Sequence, residues 1–127
     1  EETCRFFNDL PFAYTHVFPY SEREGTLSLK RANNVVPIEE RNRRCLQLRR
    51  YSSQKRYDFM QRYLGQEMNV LLEDPRDNHF PGYTANYIRV LTESPRDSDI
   101  RNQIVRVRLD RICADFVEGP IVSFVGA

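Results

Sequence analysis

Gly82-Tyr83-Thr84-Ala85-Asn86-Tyr87-Ile88-Arg89-Val90 is the stretch on which the reading of this 127-residue chain turns. It reads as a strand. Side chains of a strand alternate between two faces, so Tyr83, Ala85, Tyr87, Arg89 and Leu91 share one surface, while Thr84, Asn86, Ile88 and Val90 share the other. Two aromatic rings beside a guanidinium form a seat for unpaired RNA bases, because bases stack on ring faces and an arginine serves their edges and phosphates. The local pattern also fits a strand that turns its tyrosines into a core or against a neighbouring strand.

The surrounding sequence has β texture. Met68, Val70 and Leu72 alternate with Asn69, Leu71 and Glu73, and Asp74-Pro75-Arg76-Asp77-Asn78 supplies turn residues ahead of Gly82. A second loop spans Ser94–Asp99. From Ile104 the alternation is clean, with Val105, Val107 and Leu109 on one side and Arg106, Arg108 and Asp110 on the other. Phe116 and Val117 precede Gly119-Pro120, and residues 121–125 form a final strand. Four or five short strands in about 60 residues predict a small, closed or nearly closed, antiparallel barrel of the oligonucleotide-binding kind over residues 66–127.

Upstream, Pro37 to Leu64 predicts a long helix. Pro37 suits a first turn, Glu39 and Glu40 complement the positive end of the dipole, and Gly65 is a natural C-cap. Ile38, Cys45, Leu48, Ser52, Phe59 and Tyr63 make a mostly apolar stripe. The other faces carry Arg41, Arg43, Arg44, Arg49, Arg50, Lys55, Arg56 and Arg62 against three acids, a local balance of +5. About 27 helical residues extend roughly 40 Å, enough to join two domains and still present charge to a partner. Before it, residues 2–10 read as a helix end broken by Pro11. Ala13–Phe18 reads as a short buried strand with His16 as a hydrogen-bonded core histidine, and residues 19–26 as a polar loop. The fold class is α+β.

The net charge of +1 is unevenly spread: residues 1–65 hold 12 basic and 8 acidic groups, residues 66–127 hold 7 and 10. A polyanionic partner must therefore use a local patch, and the basic helix is positioned to supply much of the attraction. Cys4, Cys45 and Cys113 are odd in number and too far apart for a metal motif, so they read as small buried hydrophobes. His16 and His79 make no zinc site, and there is no phosphate-binding glycine loop or nucleophile elbow. No apolar run suffices to cross a bilayer. The start, Glu1-Glu2-Thr3-Cys4-Arg5, has neither a Met nor a signal core, which predicts a piece of a longer cytoplasmic protein with no membrane partner.

Three segments in order, His16-Val17-Phe18-Pro19-Tyr20-Ser21-Glu22-Arg23-Glu24-Gly25-Thr26, the basic helix and Gly82–Val90, resemble the C-terminal part of the radical-SAM methylthiotransferases. Within that family the chain looks like the branch that acts on threonylcarbamoyladenosine next to the tRNA anticodon. The resemblance implies that residues 1–36 are the last portion of a radical-SAM α/β barrel, 37–65 a connecting helix, and 66–127 an RNA-binding TRAM barrel. Tyr20, Ser21, Arg23 and Thr26 would border the cavity for S-adenosylmethionine or the target base, unless their loop only closes the barrel. Tyr83, Tyr87 and Arg89 would meet bases or sugar of the tRNA, Arg106 and Arg108 phosphates, and Lys55 with Arg56 would extend the track. The family uses two 4Fe-4S clusters and S-adenosylmethionine. The cysteine triad that holds the radical cluster is absent here, so this chain alone is expected to hold no cofactor, no metal and no catalytic residue.

Two other readings stand beside this one. A similar barrel serves methylthiotransferases that modify a ribosomal protein, and the acidic second half tolerates a basic protein partner. An independent small enzyme using His16, Tyr20 or Glu22 lacks the partner set that would tune a pKa or orient a nucleophile. Phe6, Phe7, Phe12 and Phe18, meant for cover by the missing domains of the same chain, are expected to promote non-native self-association.

Overall fold

The computed structural model describes residues 2–31, 35–77, 79–93 and 99–125. They fall into two compact units, Glu1–Lys55 and Arg56–Ala127, divided within the longest helix. Of the expected loops, Asn78 and residues 94–98 lie outside the described residues. Among the described residues no helix is long and apolar enough to cross a membrane.

The second unit carries seven strands: β1 Glu67–Leu72, β2 His79–Thr84, β3 Arg89–Glu93, β4 Ile104–Arg108, β5 Arg111–Cys113, β6 Phe116–Glu118 and β7 Ile121–Phe124. They form one sheet in the order β5-β6-β3-β2-β1-β4-β7. The two ends of that order are tied together. Only Leu109 and Asp110 separate β4 from β5, and only Gly119 and Pro120 separate β6 from β7. Through this corner the two bent strands stay paired, the Asp110 N–H donating to the Glu118 carbonyl (2.9 Å) and the Arg108 N–H to that of Pro120 (3.2 Å). Hydrogen bonding therefore runs from β1 through β2 and β3 to the β6–β7 strand, on to β4–β5, and back to β1.

In the strand pairing one expectation fails. The sheet is not wholly antiparallel, because β3 and β6 run parallel. The reason is parity: a circuit of five strands cannot alternate direction all the way round, so one neighbouring pair must run the same way. The corner also demands a glycine, since a Cβ on Gly119 would lie 1.7 Å from the Arg108 carbonyl oxygen. Inside the circuit, the period-two apolar positions Val70, Leu72, Val90, Val105, Val107, Leu109 and Val117 are all buried. Full burial of each such side chain contributes about 1.5–3 kcal/mol before entropy is charged.

In this unit the last turns of α3 (Ile38–Gln61) supply Met60, only 2% exposed, to the same core, with Phe59, Tyr63 and Leu64 packed against it. The helix ends three residues earlier than Leu64. Arg62, Tyr63 and Leu64 donate to carbonyls three residues back, a 3₁₀ tightening, and Gly65 (φ +80°) redirects its N–H to the Leu109 carbonyl at 2.7 Å.

The first unit contains α1 (Glu2–Asp9), α2 (Leu27–Arg31) and α3 as far as Lys55. The expected strand at Ala13–Phe18 does not form. An extended segment needs a ladder partner, and here α3 side chains take that part. Ser52 is buried and uses one hydroxyl for both polar groups of Thr15, accepting from its N–H and donating to its carbonyl, each at 2.9 Å. Arg49 donates to the Val17 carbonyl. His16 is exposed, its ring edge-on to Tyr14 at 5.4 Å, so it is no core histidine. On the α3 stripe Cys45 and Ser52 are buried but Ile38 is exposed. Cys4 and Cys113 are only half-buried. Phe7 is buried edge-on to Phe12, whereas Phe6 and Phe18 stay exposed.

Candidate nucleic-acid interface

Gly82–Val90 is a hairpin and not a single strand: β2 ends at Thr84, Ala85 and Asn86 turn, and β3 begins at Arg89. The polar pair Thr84 and Asn86, which the period-two reading places on one face, instead builds the turn. The buried Thr84 hydroxyl accepts from the Ile88 N–H at 2.9 Å and donates to Asn86 Oδ1 at 2.5 Å. Thr84 also donates its N–H to the Ile88 carbonyl, and its own carbonyl accepts from Tyr87 N–H, both at 3.0 Å. Tyr87 adopts φ +63°, a conformation that costs a non-glycine residue energy and persists where its surroundings over-determine it. Gly82 is required next to this turn, because a Cβ there would meet the Leu71 carbonyl oxygen at 2.4 Å.

The fold-back unites the tyrosines and arginine by a different route. Tyr83 lies directly opposite Arg89, and directly paired residues share a face. The Tyr83 and Tyr87 rings sit 6.3 Å apart, tilted by 56°, with Tyr87 72% and Tyr83 37% exposed. Arg89 lies 3.6 Å from the carboxylate of Asp115, which is also 3.6 Å from Arg56. Arg106 and Arg108 face outward on β4, but each has a carboxylate partner, Glu67 at 3.0 Å and Asp110 at 2.7 Å respectively. The Arg108 bond holds the Asp110 carboxyl below its ordinary range. A phosphate approaching any of these arginines competes with a carboxylate.

Lys55, expected on the same track, is engaged within the first unit. Its ammonium donates to the carbonyls of Leu10 (2.7 Å) and Asn8 (3.3 Å) and stands over the Phe12 ring at 4.8 Å. Several cations of the helix thus hold its own unit together. Arg41 donates to the Val36 carbonyl (2.6 Å), the Tyr20 carbonyl (2.8 Å) and the Glu22 carboxylate (2.5 Å), which holds the Glu22 carboxyl below its usual range.

Of the four residues expected at a cofactor or substrate cavity, Tyr20 lines one, of about 350 Å³, with Ser28, Val36, Arg41 and Cys45. Ser28 donates to the Tyr20 hydroxyl at 3.1 Å. Thr26 instead caps α2, its hydroxyl donating to the Arg23 carbonyl and accepting from the Leu29 N–H. Ser21 and Arg23 do not line this cavity. As a test of iron–sulfur ligation the residues do not fit: among the described residues no group of three or more His, Cys, Asp or Glu side chains could hold a metal. Sequence reasoning missed Asp115, which the β5–β6 turn brings to Arg89, and it read Arg41 as a surface cation and Ser52 as part of the apolar stripe without their partners, which are distant in sequence.

Comparison with known proteins gives consistent matches. The chain is 30% identical over 129 residues to the threonylcarbamoyladenosine tRNA methylthiotransferase MtaB of Bacillus subtilis, covering 98% of the chain and 28% of the relative. It is 34% identical over 90 residues to that of Rickettsia prowazekii, covering 71% of the chain and 20% of the relative. It is 29% identical over 126 residues to the tRNA-2-methylthio-N(6)-dimethylallyladenosine synthase of Staphylococcus saprophyticus, with 97% and 24% covered. The chain thus spans between a fifth and a third of the length of the curated relatives it matches. No protein-family model matches it.

Proposed function

Because the chain is homologous to tRNA methylthiotransferases over nearly its whole length, we propose that it is the C-terminal, tRNA-binding region of a cytoplasmic radical-SAM methylthiotransferase. The observation that carries this is the exposed hairpin on which Tyr83, Tyr87 and Arg89 converge. A tyrosine pair offers stacking worth about 1–3 kcal/mol per base, and an adjacent arginine adds a phosphate or base-edge contact. The five-strand circuit supports the reading of residues 66–127 as an OB-like TRAM barrel, a fold that binds oligonucleotides on its sheet face. The substrate is threonylcarbamoyladenosine beside the anticodon, the modification named for two of the relatives. Residues 1–36 then belong to the end of the catalytic barrel, and residues 37–65 to the connector.

The sulfur and methyl chemistry belongs to two 4Fe-4S clusters and S-adenosylmethionine, held by parts of the enzyme outside this chain. The share of this chain is to bind and orient the RNA, through Tyr83, Tyr87 and Arg89, with Arg106 and Arg108 contributing at lower strength because of their carboxylate partners. Lys55 acts by holding the first unit, and Arg56 by sharing Asp115 with Arg89. In the first unit, Tyr20 faces the cavity that the target base or cofactor would border, while Thr26, Arg23 and Ser21 shape its loop.

The test is binding of a tRNA anticodon stem-loop by filter retention at low salt. The Tyr87→Ala, Arg89→Ala double variant is expected to bind 10- to 100-fold more weakly with its unfolding midpoint unchanged. Wild-type affinity in that variant, or retention of a ribosomal protein with no retention of RNA, refutes the proposal.

A further inference from the structure

Two parallel rows of side chains cross the outer face of the second unit. Leu71 pairs with Tyr83 on one side and with Ile104 on the other, and the Val125 N–H donates to the Ile104 carbonyl at 3.2 Å, continuing the register onto the last strand. Val125, Ile104, Leu71 and Tyr83 therefore stand in one row, 43%, 46%, 52% and 37% exposed, ending at Arg89. An exposed apolar row of this length on a sheet is unusual unless something covers it. Two residues further along β1 and β4 the side chains change character: Asn69 pairs with Arg106, and Arg106 with Ser123, all exposed. The second row lies about 7 Å from the first.

We propose that these two rows are the continuing track for unpaired RNA beyond the tyrosines, with base faces on the apolar row and the sugar–phosphate chain along Asn69, Arg106 and Ser123. This rests on the tRNA-binding reading above and adds the path. A single strand of RNA has the same division, apolar faces on one side and a polar, anionic chain on the other, at a comparable separation. The strand would run across the β-strands and not along them. Four inter-strand steps of about 4.8 Å give roughly 19 Å, room for about three to five unpaired nucleotides, at the low end of the site sizes of single oligonucleotide-binding barrels. Arg106 meets the chain as a cation already balanced by Glu67, which favours orientation over raw attraction.

The experiment compares oligouridylates of three and six nucleotides on the 127-residue chain by fluorescence anisotropy at about 50 mM salt. A Leu71→Ser, Ile104→Ser double variant is expected to bind the hexanucleotide about tenfold more weakly, the loss of roughly one stacked base, and to leave the trinucleotide unchanged. A Tyr83→Ala, Tyr87→Ala variant is expected to weaken both. If the serine variant binds the hexanucleotide like wild type while the tyrosine variant fails, the track is overturned and the apolar row is a protein-packing surface. If the tyrosine variant also binds like wild type, the RNA reading itself falls. Both serine sites are exposed, and an unchanged urea midpoint confirms that the variant is folded.

Discussion

Replacing Gly119 with alanine adds one methyl group at the corner where the two bent strands cross, and its cost can be worked from the structure. The new Cβ would lie 1.7 Å from the Arg108 carbonyl oxygen, against a practical floor of 3.0 Å, so the backbones must part by about 1.3 Å. The obstacle is main chain and cannot rotate away. Three bonds hold the corner: Arg108 N–H to Pro120, Asp110 N–H to Glu118 and Gly119 N–H to Leu91. Opening one of them in a buried setting costs about 1–3 kcal/mol, and the displaced packing adds a similar amount, for a total of roughly 2–5 kcal/mol. A unit of 72 residues has about 4–11 kcal/mol in all. Gly119→Ala should therefore lower the urea midpoint sharply or prevent folding. Far-UV circular dichroism with tyrosine fluorescence reports it, since the chain has seven tyrosines and no tryptophan. Gly65→Ala is the control: φ is +80° there, but nothing lies within 4 Å, so only left-handed strain of about 1–2 kcal/mol is expected. A loss under about 0.5 kcal/mol at Gly119, or equal losses at both sites, refutes the reasoning and with it the tied corner.

Asp115→Asn removes the carboxylate shared by Arg56 and Arg89, and should raise affinity for single-stranded RNA a few-fold while steepening its salt dependence; unchanged or weaker binding counts against a phosphate role for Arg89. Ser52→Ala strips from Thr15 both backbone hydrogen bonds made by the Ser52 hydroxyl and should cost about 1–3 kcal/mol, seen as faster amide exchange around residues 13–17, without altering RNA affinity. The bonds from Arg43 and Arg44 hold the Glu40 carboxyl down to about 2 from an ordinary 4.5. Because the folded value is the lower one, that contribution is complete above about pH 4.5 and is lost as pH falls toward 2. Helicity should decline over this window, and Glu40→Gln should flatten that part of the curve; an identical curve in the variant excludes the pair as its source.

Much of the second unit was legible because period two is a strong signal when one face is buried. Val105, Val107 and Leu109 announced β4 and its inner face, and Val70 and Leu72 did the same for β1. The hairpin turn was less legible: Gly82–Val90 alternates well enough to pass for one strand, and only the Ala85-Asn86 pair hints at the reversal. The tyrosine–arginine cluster survived that error because a tight hairpin returns the chain to the same face. The failed strand at Ala13–Phe18 shows the opposite case, since local pattern says that a segment is extended but not what will bond to it. No periodicity foretells that Ser52 and Arg49, a helix away, bond the Thr15 amide and carbonyl and the Val17 carbonyl. Leu71 was visible as an apolar residue on a polar face, but its significance needed the register with Ile104 and Tyr83.

Met60 carries a practical consequence for anyone trimming this protein. The textural boundary after Gly65 invites a cut there, yet the core of the strands is sealed by a methionine five residues upstream, with Phe59, Tyr63 and Leu64 beside it. A shortened version starting at Gln66 would keep every strand and lose its stopper, leaving an oily opening that invites clumping during expression. Starting at or before Arg56 keeps the plug.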